Sequence, residues 1–178
     1  MTVSRATPND ESRMARHYRV IVVDDHLAMA ETVADGLVRH GYDAVAFADP
    51  SLAAREIERG EHDALVTDLR MEGHDGLDLL GRSRAAAKEA PVILMTAFSG
   101  VDTAIESIRR GAYHYLTKPF KIEELSLFLG RALAELEART EARTLKRTLR
   151  ATFSLDHVIG ESAGMRDLAE VVRRVADA

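Results

Sequence analysis

The sequence predicts an α/β protein built on a doubly wound, five-stranded parallel sheet with an extended C-terminal helix. Three observations carry this prediction. Short apolar runs alternate with amphipathic stretches between Arg19 and Leu116, the pattern of strands joined by crossover helices that cover both sheet faces. Glycine stands just past the helical stretches at Gly41, Gly60 and Gly111, where it ends a helix in left-handed backbone without a steric cost. After Phe120 a helical pattern runs to about Arg150 with no proline and a single glycine, Gly130, far longer than a compact domain's last helix needs.

The elements follow in order. Val20 to Val23 is the first strand and Leu27 to His40 the helix behind it. Ala44 to Phe47 and Pro50 to Arg59 repeat the unit, and Pro50 suits a first helical turn, where its missing N–H is not needed. Leu65 to Thr67 with Leu77 to Lys88, and Val92 to Met95 with Val101 to Arg110, are the third and fourth units, and Tyr113 to Leu116 is the last strand.

Composition narrows the function classes. The 178 residues allow one ordinary domain plus something smaller, and 46% hydrophobic with 30% charged residues supports a real core. A net charge of -5 argues against non-specific nucleic-acid binding, which depends on clustered cations. With no cysteine there are no disulfides, thiolate metal sites or cysteine nucleophiles, and a cytoplasmic location is the simplest expectation. No apolar run reaches the roughly 18 residues that cross a bilayer, so no membrane association is expected. Residues 1–17 lack a signal-peptide core and are expected to be a disordered tail.

Asp24 and Asp25, Asp68, Thr96 and Lys118 each close a separate apolar run (VIVVDD, ALVTD, PVILMTA, YHYLTKP). In an open parallel sheet the carboxyl ends of the strands meet at one crevice, so these residues are expected to share one pocket. Crowded carboxylates repel unless a cation joins them, and an all-oxygen set with room for water suits Mg2+. An aspartate beside a bound divalent ion and a lysine is placed to accept a phosphoryl group.

YRVIVVDDH, VTDLRMEGHDGLDLL, ILMTAFSG and YHYLTKPF resemble, in order and spacing, the signatures of bacterial response-regulator receiver domains, over residues 18–136. The resemblance implies a flavodoxin-like sheet of order 2-1-3-4-5, with a histidine kinase as phosphoryl donor. It implies Asp68 as phosphoacceptor, Asp25 and Asp68 as direct Mg2+ ligands, the Arg70 main-chain carbonyl as another, and Asp24 acting through water or a hydrogen bond. Thr96 and the Ala97 N–H would receive phosphoryl oxygens, Lys118 would act as a point charge opposite the metal, and Lys118–Pro119 would be cis. Tyr115 would turn inward as Thr96 moves toward the phosphoryl group, altering the surface of the fourth helix, fifth strand and fifth helix. Two residues depart from the class: His26 stands where glutamate is usual and Glu72 where proline is usual, while Arg70 and Phe98 flank the site and bear on water access.

In the long helix, Ile122, Leu125, Leu129, Ala132 and Leu136 are spaced three and four apart, a seam suited to pairing with another helix. The phase then slips, and Ala138, Ala142, Leu145 and Leu149 take over in a linker helix over residues 137–152. Either the first stripe packs on the domain's own sheet and the second is a solvated linker, or the helix pairs in a dimeric coiled coil. A homodimer is the favoured expectation, because Leu145 and Leu149 otherwise have nothing to cover them.

Residues 153–178, with HVIGESAGMRDLAEVVRRVADA, resemble the opening of the AAA+ ATPase domain in enhancer-binding proteins of the nitrogen-regulator class, which activate RNA polymerase carrying sigma-N. Ser162 would cap a helix whose apolar face is Met165, Leu168, Val171, Val172 and Val175; an unrelated terminal helix is the alternative. No GxxxxGK(S/T) phosphate loop occurs, so no ATP site is assigned here. The resemblance implies the start of a longer activator, with ATP, sigma-N RNA polymerase and DNA as partners of domains absent from this chain. Two competing functions remain: a hydrolase using Asp68 as covalent nucleophile, for which the DxD arrangement is missing near VTDLRM, and a constitutive dimerisation module.

Overall fold

The computed structural model describes residues 17–71, 74–97 and 101–152. The expectations for the tail before His17, for Glu72 and Phe98, and for the ATPase-like segment with its Ser162 cap lie outside the described residues. The chain divides into two compact units, Met1–Leu136 and Glu137–Ala178.

Five strands form the sheet of the first unit: β1 (Arg19–Val23), β2 (Asp43–Phe47), β3 (Ala64–Asp68), β4 (Val92–Thr96) and β5 (His114–Thr117). They lie in the order β2-β1-β3-β4-β5 and every pairing is parallel, the doubly wound order that the resemblance implies. The helices are α1 (Leu27–Arg39), α2 (Pro50–Glu58), α3 (Gly76–Ala86), α4 (Val101–Arg109) and α5 (Ile122–Thr152). Gly41, Gly60 and Gly111 have positive φ of 88°, 70° and 99°, the conformation that ends a helix at little cost only for glycine. Asp49 caps α2 by accepting from the N–H groups of Ser51 and Leu52, with Pro50 in the first turn.

The apolar runs are continuous because both faces of the inner strands are buried. Val20 and Val22 join Val33, Leu37, Val66, Ile93 and Met95 in one cluster, while Ile21 and Val23 join Ile57, Leu65, Leu79, Leu80 and Leu94 in the other. Successive side chains of a strand point to opposite faces, so VIVV serves both clusters. The edge strand β2 is nowhere fully buried and alternates at its start.

Helix α5 corrects one expectation. Leu125 and Leu129 are completely buried, Ala132 and Leu133 nearly so, all within the core of this chain. Ile122 packs on the same cluster and covers Gly36 of α1, where an added Cβ would lie 2.8 Å from Ile122 Cγ2. Tyr42 donates a hydrogen bond to the Ser126 carbonyl (3.3 Å), and the His114 and Phe128 rings stack 3.7 Å apart. Ile122, Leu125 and Leu129 are therefore the helix face that closes this domain's sheet and not a seam for a second helix, and Leu136 is half-buried. Three-and-four spacing marks any buried helix face, and it does not distinguish a sheet from a partner. In the second unit Leu145 and Leu149 are exposed, at 60% and 48%.

Two close fits anchor β3. Gly76, the first residue of α3, lies so near the end of β3 that a Cβ would fall 2.2 Å from the Asp68 carbonyl oxygen and 2.9 Å from Leu69 Cα. At the other end, buried His62 places Nε2 2.8 Å from Ser83 Oγ of α3, and Nδ1 has no partner. Burial pushes the His62 pKa down, and Arg19 adds to this while Asp63 opposes it.

Gly76→Ala is expected to cost at least about 1–3 kcal/mol in denaturant unfolding, the range for forced overpacking; an unchanged midpoint would contradict the fit. His62 gains a proton less readily in the folded chain than in the unfolded one. Its contribution to stability is therefore full above about pH 6.5 and declines as pH falls below that value. Unfolding midpoints should drop between about pH 7.5 and 5.5, with a smaller drop in His62→Gln.

Candidate phosphoacceptor site

Strand register builds the site. Val23 pairs with Thr67, Asp68 with Met95 and Thr96 with Thr117, so Asp24, Asp68, Thr96 and Lys118 fall at the same edge of the sheet. The ladder continues one step further, with the Asp24 N–H donating to the Phe47 carbonyl (3.1 Å) and the Lys118 N–H to the Thr96 carbonyl (2.7 Å). The Lys118–Pro119 bond is cis.

At the centre is the Lys118 ammonium. Nζ donates to Asp24 Oδ2 at 2.5 Å and lies 3.3 Å from Asp68 Oδ2. Asp24 is fully buried and Asp68 is 9% exposed. Asp24 Oδ1 accepts from the His26 N–H (3.1 Å), and Asp68 Oδ1 accepts from the Leu69 N–H (2.9 Å). Asp25 is half-buried, and its Oδ1 is 2.8 Å from His26 Nδ1. Burial raises the Asp68 pKa above the ordinary carboxylate value; Lys118 counters this and the Asp24 charge adds to it.

The other predicted residues fall around this centre. Thr96 is buried at the end of β4 and Ala97 is exposed directly after it. Tyr115 is half-buried on β5, in register with Leu94 and packed against the cluster of Ile21 and Leu94. Arg70 is exposed and belongs to a short antiparallel ribbon in which Arg70 pairs with Asp75 and Met71 with His74.

Three features went unread in the sequence. These are the ribbon after Asp68, the Leu69 N–H on the Asp68 carboxylate, and the contact of Gly76 with that turn. The Asp75-Gly76 pair, where the ribbon passes into α3, was the available signal for the last, since glycine at the start of a helix admits close backbone approach.

The donor set fits a divalent cation. Asp24, Asp25 and His26 each offer a ligand atom, all within 4.8 Å of one another, and Lys118 joins Asp68 to Asp24. One ammonium among three carboxylates leaves negative charge in a partly desolvated place, which a hard cation relieves.

Residues 20–129 match the response regulator receiver domain, and the chain belongs to that family. It is 35% identical over 156 residues to the DNA-binding transcriptional regulator NtrC of Rhizobium meliloti, covering 88% of this chain and 31% of that one. To the regulatory protein AtoC of Escherichia coli it is 30% identical, covering 89% and 34%. Among solved structures it resembles the beryllofluoride-activated NtrC4 receiver domain dimer (30% identity, TM-score 0.62, 66% of this chain and 98% of that one). It also resembles NtrX from Brucella abortus in complex with ATP (29%, TM-score 0.68, 90% and 35%). The chain spans about a third of the length of the curated relatives it matches.

Asp68 keeps its proton more readily in the folded chain than in the unfolded one. As pH rises through the unfolded carboxylate value toward the folded one, this costs stability, and the cost is complete once pH has passed the folded value. Asp68→Asn should therefore raise the Tm in Mg2+-free buffer at neutral pH, with the gain shrinking as pH falls toward about 4. An unchanged or lower Tm would show that the charge carries no such cost.

Proposed function

We propose that this chain is the phosphoacceptor switch of a two-component system, in which Asp68 receives a phosphoryl group from a histidine kinase in a Mg2+-dependent reaction. The observation that carries this is the Lys118 ammonium held between Asp24 and Asp68, at 2.5 and 3.3 Å, at the carboxyl edge of the sheet. Asp68 Oδ2 attacks phosphorus; a P–O bond forms as the P–N bond of the donor phosphoimidazole breaks, and the electron pair leaves with the imidazole. The product is an acyl phosphate on Asp68.

Asp25, Asp68 and the Arg70 carbonyl would hold Mg2+ with Asp24 in support, and the ion would neutralise charge on the phosphoryl oxygens. Lys118 neutralises the opposite side. The Thr96 hydroxyl and the Ala97 N–H receive the remaining oxygens, in a transfer that consists mostly of positioning and charge stabilisation.

The output is a change in pairing. Thr96 moving toward the phosphoryl group vacates space for Tyr115, which lies on the neighbouring strand two residues before Thr117, the register partner of Thr96, and a small differential interaction shifts such a two-state equilibrium. With Ile122, Leu125 and Leu129 committed to the core, Leu136, Leu145 and Leu149 are the seam residues left for a homodimer, with Ala138 and Ala142 beside them. The exposure of Leu145 and Leu149 supports that assignment, and the likeness to a receiver domain dimer supports pairing as such. We extend this to a cytoplasmic sigma-N-dependent activator whose full length engages ATP, RNA polymerase and DNA, on the strength of the NtrC-type relatives. No described helix is long and apolar enough to cross a membrane.

With acetyl phosphate and Mg2+, the intact mass should rise by one phosphoryl group, and Asp68→Asn should show no addition. Lys118→Ala should slow the addition by about a hundredfold or more, the usual cost of losing one transition-state donor. Light scattering on the same samples should show a phosphorylation-dependent change in molar mass. Addition without such a change would leave the acceptor intact and remove the switch; no addition would favour a constitutive dimerisation module.

A further inference from the structure

One donor in the pocket has no part in phosphoryl transfer as described. His26 occupies the N-cap position of α1 with extended backbone, yet its side chain makes no capping hydrogen bond. Serine, threonine, asparagine or aspartate at this position would typically bond the exposed N–H groups of the first turn. The ring instead lies over the carboxylates, with Nδ1 2.8 Å from Asp25 Oδ1 and 3.6 Å from Asp24 Oδ1. The His26 side chain is 83% exposed, so it can turn a nitrogen to an ion without first being desolvated.

The 2.8 Å contact between His26 Nδ1 and Asp25 Oδ1 is a hydrogen bond, and an ion would take the place of the proton it shares. What brings His26 into the cation pocket is that Asp24, Asp25 and His26 each offer a ligand atom within 4.8 Å of the others. Carboxylate and water oxygens alone suit Mg2+, whereas a neutral imidazole nitrogen favours later divalent ions in the order Mn2+, then Co2+, then Ni2+.

We propose that His26 is an imidazole ligand of the divalent-cation pocket and shifts its preference from Mg2+ toward transition-metal ions. This rests on the reading of Asp24, Asp25 and Asp68 as a cation pocket. Glutamate, the residue usual in this class, would keep the site all-oxygen. Histidine gives the acceptor pocket an affinity for Mn2+ or Ni2+ beyond that of an all-oxygen pocket, so the metal in the site depends on more than the Mg2+ supply.

The test uses Mn2+ added to the metal-free chain and followed by electron paramagnetic resonance, where bound Mn2+ loses its free-ion signal and spin-echo modulation reports directly coordinated imidazole nitrogen. The expected result is bound Mn2+ with imidazole coupling, and a coupling lost in His26→Glu while Mn2+ still binds. Calorimetry should show the ratio of Ni2+ to Mg2+ affinity falling about tenfold or more in His26→Glu. Bound Mn2+ without imidazole coupling, a coupling that persists in His26→Glu, or an unchanged affinity ratio overturns the role of His26 and leaves the cation pocket standing. No Mn2+ binding, or binding unaffected by Asp25→Asn, overturns the pocket itself and the proposal with it.

Discussion

Two carboxylates, one fully buried and one nearly so, share the carboxyl edge of this sheet because a single ammonium stands between them. Asp24 and Asp68 would repel each other in a desolvated place, and removing the partner of a buried charge costs about 3–5 kcal/mol. Lys118 answers both from 94 residues further along the chain than Asp24. That contact requires β1, β3, β4 and β5 to be in register, so it ties together four of the five strands. The compensation is incomplete, since burial still holds the Asp68 pKa up. A protein selected for stability alone would dispense with such a charge, and its retention is the kind of cost that functional sites carry.

The fold was legible where sequence and structure share a period. The continuous apolar runs gave the strands, and the glycines at positive φ gave the helix ends, because each reflects a local constraint that one residue type satisfies. The gathering of Asp24, Asp25, Asp68, Thr96 and Lys118 was legible too, since parallel connectivity forces strand ends together whatever lies between them. Helix α5 was misjudged at Ile122, Leu125 and Leu129. An apolar stripe says that a face is covered but not by what, and the cover proved to be the chain's own sheet. Leu133, equally buried, escaped notice because it lies between the heptad positions.

Contacts that depend on backbone proximity were not legible. Nothing in the sequence says that the Leu69 N–H turns back onto the Asp68 carboxylate or that residues after Asp68 form a ribbon. His62 shows the same limit: a histidine in a polar stretch reads as a surface residue, and only the packing of α3 against β3 encloses it beside Ser83. Sequence pattern reports which face of an element is apolar. It does not report how two polar groups on different elements will meet.

The missing Cβ of Gly76 has a geometric consequence. The first residue of α3 is seated against the carbonyl of Asp68, and its N–H donates to the Leu69 carbonyl at 2.9 Å, so the start of that helix is tied to the end of the acceptor strand. Any side chain at position 76 would have to part the two, and the identity of one helix residue therefore sets how near α3 can stand to the acceptor aspartate.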